Sequence, residues 1–163
     1  MVRPALPADA ESIAIVHVSA WRAAYAGLMP AELLANLDQA QRARSWRSKL
    51  EAGETILLSE ESGALCGFCF LMPAGAELGD AYEIRAIYVS PERWRSGHGR
   101  KLVTAARERA TAKGFRTLVL WVLSANAPAR AFYEREGFRP DGAEKVDALF
   151  GAPLHELRYR TSW

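Results

Sequence analysis

The sequence predicts one mixed α/β domain spanning residues 1–163, and three observations carry that prediction. Strand-like and helix-like stretches interleave along the whole chain with no internal repeat. The run Thr-Leu-Val-Leu-Trp-Val-Leu at 117–123 is apolar at consecutive positions, as in a strand covered on both faces. A second strand-like run, residues 82–89, precedes it with a helical segment between them, so the two read as a parallel pair joined by a right-handed crossover. A chain of 163 residues, 50% hydrophobic and 25% charged, can bury one core of ordinary size.

Residues 2–6 read as a short first strand. Pro7 suits a first helical position, and Asp9 and Glu11 put negative charge in the first turn, where the helix dipole favours it; a helix is predicted to about Ala26, stopped by Gly27. On it His17, Trp21 and Tyr25 recur every four residues and share one stripe, which suits either core packing or an aromatic wall for a substrate. Pro30 opens another helical region. Residues 40–50 form a further helix whose Arg42, Arg44, Arg47 and Lys49 make a solvated basic face, ended by Gly53. Residues 55–59 and 64–72 pair as antiparallel strands across a Glu-Glu-Ser-Gly linker, and residues 73–80 form a loop.

After the 82–89 strand, Leu102, Ala106 and Ala110 share the buried face of a helix that stops at Lys113-Gly114, a cation followed by a left-handed cap. Ser124-Ala-Asn126-Ala-Pro128 opens a helix over 128–136, capped by Gly137. The tail carries turn signals at Pro140-Asp-Gly and Gly151-Ala-Pro. In its closing antiparallel strand His155, Leu157 and Tyr159 alternate with Glu156, Arg158 and Arg160.

Twenty-one basic against 19 acidic residues leave +2, too little to make nucleic acid or an anionic membrane the expected partner. No apolar run approaches the roughly 20 residues of a membrane-spanning helix, and the expected location is the cytoplasm. Cys66 and Cys69 have CxxC spacing, but an offset of three along a strand puts the thiols on opposite faces, and the histidines at 17, 98 and 155 form no ligand pair; buried inert thiols and no metal are expected.

The stretch Arg95-Ser96-Gly97-His98-Gly99-Arg100-Lys101 lies between strand and helix. Two glycines one residue apart allow a tight turn and a close approach to a ligand, and the first amides of the following helix can hold a phosphate. It is neither a Walker A loop, since Lys101 is not flanked as that motif requires, nor a dinucleotide fingerprint, since Leu102 stands where a small residue is needed. It resembles motif A of the GCN5-related N-acetyltransferases, Q/R-x-x-G-x-G/A, with Trp94 in place of the Gln or Arg. The run Asn-Ala-Pro-Ala-Arg-Ala-Phe-Tyr-Glu-Arg-Glu-Gly-Phe at 126–138 closely resembles motif B of the same superfamily, and Trp-Arg-Ala-Ala-Tyr-Ala-Gly-Leu-Met-Pro at 21–30 is similar to a recurring beginning within one of its branches.

That resemblance implies a strongly twisted mixed sheet of six to seven strands, splayed at its centre and flanked by about four helices. It implies transfer of acetyl from acetyl-CoA, as cosubstrate, to a small-molecule or peptide amine. Residues 95–101 would hold the pyrophosphate, Ile87, Tyr88 and Val89 the pantetheine, Asn126 would fix that arm, and Tyr133 would protonate the departing thiolate. Glu83, 14 residues before Gly97, occupies the place of the catalytic glutamate of histone-acetylating members, with an edge ion pair as its alternative role. Trp21 and Tyr25 would line the acceptor side. A CoA-binding module without turnover is the rival reading, and a homodimer is left open.

Overall fold

The computed structural model describes residues 1–148 and 153–163. In chain order these form β1 (Val2–Pro4), α1 (Ala10–Ala24), α2 (Ala31–Ala35), α3 (Gln39–Glu51), β2 (Thr55–Glu61), β3 (Ala64–Pro73), β4 (Ala81–Val89), α4 (His98–Ala112), β5 (Thr117–Leu123), α5 (Ala127–Arg135), β6 (Arg139–Asp147) and β7 (Leu154–Ser162). Among the described residues the strands make one mixed sheet of order β1-β2-β3-β4-β5-β7-β6, in which β4 and β5 pair in parallel and the other neighbours antiparallel. Gly151 and Ala152 of the turn expected at Gly151-Ala-Pro lie outside the described residues.

Chain chemistry explains the element ends. Pro7 begins a 3-10 turn that leads into α1, and Gly27 turns the chain away with φ +78°. The β2–β3 linker closes through Ser62 and Gly63, both at positive φ, as a tight two-residue hairpin turn requires. Asp38 caps α3 by accepting from the Gln41 amide, and Asn126 caps α5 by accepting from Ala129. The basic face of α3 is less solvated than its pattern suggests: Arg42 lies over the Trp21 ring, Lys49 over Phe70, and Arg47 pairs with Glu11.

The sheet is covered on both faces. Leu102, Val103, Ala106 and Ala110 of α4 and Tyr133 of α5 pack on Leu71, Ile84, Leu118 and Leu120 on one face. On the other, Ile13 and Ala14 of α1 and Trp46 of α3 pack on Ile56, Leu58, Phe68 and Phe70. Cys69 belongs to the first core. Cys66 is also buried and free, but it is the residue skipped by the β2–β3 register between Gly67 and Leu65, so strict alternation does not carry through it.

Strand β4 carries the feature that matters for function. Opposite β3 its register skips Arg85, since Phe70 faces Ala86 while Leu71 faces Ile84. This bulge reverses the alternation. Tyr82 and Ile84 point to the α4 side, but beyond the bulge it is Ile87 and Val89 that do so, while Ala86 and Tyr88 turn to the α1 side. Pairing with β5 stops at the same place: residues 81–84 face 117–120, and the last five residues of β4 have no partner across the gap. The sheet is therefore open at the carboxyl ends of its two parallel strands, where α/β sheets present ligand sites.

Candidate active site

One side of the opening is built from backbone. Gly97, at φ +85°, is the N-cap of α4, and Lys101 is the first amide bonded back, to the Gly97 carbonyl. The amides of His98, Gly99 and Arg100 thus have no acceptor within the helix, and its positive end points toward the gap. Arg95 also takes positive φ, 62°, which sharpens the turn. The two glycines have different reasons to be there. A Cβ on Gly97 would meet nothing within 4 Å, so that position needs glycine for its left-handed backbone. A Cβ on Gly99 would stand 2.9 Å from the Phe132 ring, so that glycine lets α4 and α5 approach.

Not every side chain of the loop faces a ligand. His98 is buried and hydrogen-bonds through Nδ1 to the Ser59 hydroxyl at 2.8 Å, so it ties the start of α4 to β2 and offers a ligand only its backbone. Arg100 reaches Glu136 at 3.3 Å. Trp94, which replaces the Gln or Arg of the resembled motif, donates its indole N–H to the Val89 carbonyl at 2.8 Å and so uses one backbone group at the end of β4.

Across the gap stands Tyr133. Its ring is held by Phe132, Phe138 and Tyr159 at centroid distances of 5.3, 5.9 and 6.5 Å. Behind it Arg130 donates to the Tyr159 hydroxyl, which donates to Glu134, fastening α5 to β7. Burial pushes the Tyr133 phenol well above the usual tyrosine range, with Tyr88 and Cys69 adding to the effect, so its proton is retained at neutral pH.

The opposite face of the opening is aromatic. The α1 stripe forms a contiguous cluster: His17 contacts Trp21 at 5.3 Å, and Trp21 contacts Tyr25 at 5.2 Å. Tyr88, expected on the pantetheine side, is turned by the β4 bulge into this cluster, stacked on His17 at 5.2 Å with its hydroxyl 3.5 Å from that of Tyr25. Its backbone still lies on the edge of β4 that β5 leaves open, so the pantetheine expectation for it concerns main-chain groups. Trp46 donates to His17 Nδ1 at 3.0 Å, and burial, aided by Arg42, pushes His17 down to about 3, so it is neutral. Burial raises the phenols of Tyr25 and Tyr88, and the negative charge of Glu156 on β7 raises both further. Sequence reasoning assigned neither Tyr88 nor Glu156 to this side. The β7 alternation was the available signal for Glu156, while nothing in the sequence marked the bulge. Glu83 also lies on the α1 face, in the paired part of β4, where Arg85 meets it at 3.2 Å.

The family model of the acetyltransferase (GNAT) family matches residues 20–138. The chain belongs to that family. It is 34% identical to the N-acetyltransferase YuaI of Bacillus subtilis over 158 residues, covering 96% of this chain and 89% of that protein. Its fold is similar to that of an acetyltransferase of the GNAT family from Desulfovibrio desulfuricans, with a TM-score of 0.76, 25% identity and coverage of 99% and 98% of the two chains. It is also similar in fold to the PaiA N-acetyltransferase of Thermoplasma acidophilum, whose structure contains coenzyme A, with a TM-score of 0.76, 18% identity and coverage of 100% and 98%.

Proposed function

We propose that the chain transfers the acetyl group of acetyl-CoA to an amine by direct attack within a ternary complex. The observation that carries this reading is the gap between β4 and β5, with three unpaired helix amides at one end and the proton-bearing Tyr133 hydroxyl beside it. The chain's own groups fit the cosubstrate. The amides of His98 to Arg100, with Arg95, Ser96 and Lys101 around them, suit a pyrophosphate. The unpaired edge of β4 beyond Ile84 can bond a pantetheine as though it were an added strand. Asn126, buried as the cap of α5, stands at the foot of that helix and would steady the arm.

In this reading the amine nitrogen attacks the thioester carbonyl, the C–S bond breaks, and the sulfur takes the Tyr133 proton. Trp21 and Tyr25 line the acceptor side. Glu83 would have to give up its contact with Arg85 to accept a proton, which favours an ion-pair role for it. Thiol release from acetyl-CoA in the presence of amines tests the proposal. A protein that binds acetyl-CoA but releases no thiol with any amine would be the non-catalytic CoA-binding module instead.

A further inference from the structure

Besides Tyr133, the opening holds a second chemically competent group that the family resemblance did not single out. Glu156 stands opposite Leu123, the last residue of β5 to pair with β7, and therefore at the mouth of the gap. Its face is fixed by alternation. Leu157 and Tyr159 pack into the α4-side core, whereas Leu154 and Leu123 pack with Trp21 and Tyr25 on the α1 side. Glu156 shares that second side, between Leu154 and Arg158. Its side chain is 20% exposed, buried enough to act at short range yet open to solvent. Lys145 reaches it from β6 at 3.2 Å, and Arg158, next along the same face, is engaged by Asp141 at 2.7 Å. Tyr25 from α1 and Tyr88 from β4 face it across the opening, with Arg42 of α3 beyond them at Trp21.

Building on the acetyltransferase reading, we infer that Glu156 receives the acceptor as its ammonium and takes its proton, and that the acceptor is an aliphatic amine carried on an apolar body. The aromatic rings of Trp21, Tyr25 and Tyr88 hold the apolar body and the cation, and the carboxylate supplies the counter-charge. An aliphatic amine of pKa about 10.4 is neutral only to about one part in 2,500 at pH 7, so this site both collects the charged form and discharges it. One ammonium N–H proton passes to the carboxylate. The freed lone pair forms the N–C bond as the C–S bond breaks, and the thiolate takes the Tyr133 proton. The second proton of the attacking nitrogen restores Tyr133, and Glu156 releases its own to water.

The test compares Glu156→Gln, Lys145→Met and the unaltered protein, with phenethylamine as the charged aliphatic acceptor and aniline, already neutral at pH 7, as the contrast. Glu156→Gln is expected to lower kcat/KM for phenethylamine by about 100-fold, the low end of general-base effects, and to change thiol release with aniline less than threefold. Lys145→Met removes the same ion pair from the other side and is expected to keep phenethylamine turnover within threefold. Phenyltrimethylammonium, a cation that cannot be acetylated, is expected to bind the CoA-saturated protein at millimolar concentration and to weaken about tenfold in Glu156→Gln. Equal losses in Glu156→Gln and Lys145→Met would make the glutamate a structural ion-pair partner and overturn the inference. So would loss in Glu83→Gln with none in Glu156→Gln, or no binding of phenyltrimethylammonium. Failure of acetyl-CoA itself to bind in a calorimetric titration would instead sink the acetyltransferase reading.

Discussion

The two sides of the opening are made of different materials. On the α4 side the groups aimed at the gap are main-chain amides and an unpaired strand edge, set by two glycines, a bulge and a helix start. On the α1 side they are side chains: a stripe of His17, Trp21 and Tyr25, a tyrosine turned over from β4, and a carboxylate from β7. Backbone recognition needs only that certain positions lack a Cβ or adopt a special φ, so many sequences can build the same cosubstrate side. Side-chain recognition changes with each substitution. The difference teaches where a chain of this family is generic and where it is particular.

The largest expected effect tests the catalytic role proposed for Tyr133. Tyr133→Phe keeps the ring packing on Phe138 and Tyr159 but removes the proton, so kcat should fall by about 100-fold, or about 2.7 kcal/mol, with acetyl-CoA affinity nearly unchanged. Steady-state kinetics beside calorimetric titration will read both. Turnover within twofold of the parent would make the tyrosine a packing residue.

Next comes the aromatic side. Trp21→Ala is expected to raise KM for the amine, or exchange one amine preference for another, while acetyl-CoA binding survives. Trp21 is only partly buried and leans on His17, Tyr25 and Tyr88, so its loss should destabilise by less than the roughly 3 to 5 kcal/mol of a full core position. A stability loss of that full size with an unaltered amine profile would return the stripe to the core.

The glycine pair gives a smaller and more discriminating contrast. Gly99→Ala should lower thermal stability through overpacking against Phe132, by about 1 to 3 kcal/mol, and Phe132→Leu in the same chain should recover part of it. Gly97→Ala meets no such wall, and its left-handed backbone costs about 1 to 2 kcal/mol. Its main effect should be on acetyl-CoA affinity. If both variants lose stability alike and neither loses affinity, the loop is not the phosphate cradle.

The last expectation concerns acid. His17 is held neutral down to about pH 3, while an unfolded histidine binds its proton near 6.5. The unfolded state therefore takes up the extra proton first. Stability is complete above about pH 6.5 and falls as the pH drops below it, by up to about 1.4 kcal/mol per unit for this one group. His98, whose burial also lowers it, acts in the same direction. His17→Gln, which keeps an acceptor for Trp46, should flatten the acid limb of a pH–stability curve; an unchanged slope would contradict a neutral His17.

Much of the α4 side of the opening was legible because it rests on local rules. Residues 117–123 were a strand by their unbroken apolar run, Gly114 and Gly137 marked helix ends and do take positive φ, and Asn126 and Tyr133 stood seven apart on one helix. The α1 side was only half legible. Helical spacing joined His17, Trp21 and Tyr25, but nothing in the sequence brought the Tyr88 side chain to them, because a one-residue bulge at Arg85 leaves no compositional mark. Nor could alternation along β7 say which face looked at α1, since that depends on pairings between strands far apart in the chain.

The missing partner strand beside β4 has a further consequence. Past Ile84, amides that point away from β3 lack the sheet hydrogen bond that shields their neighbours, so in the free protein they should trade hydrogen for deuterium quickly, although β4 lies mid-sheet. A bound pantetheine arm would close that edge. The outward amides among residues 85–89 thus form a built-in gauge of occupancy, one that reports how long the cosubstrate stays without any acceptor being known.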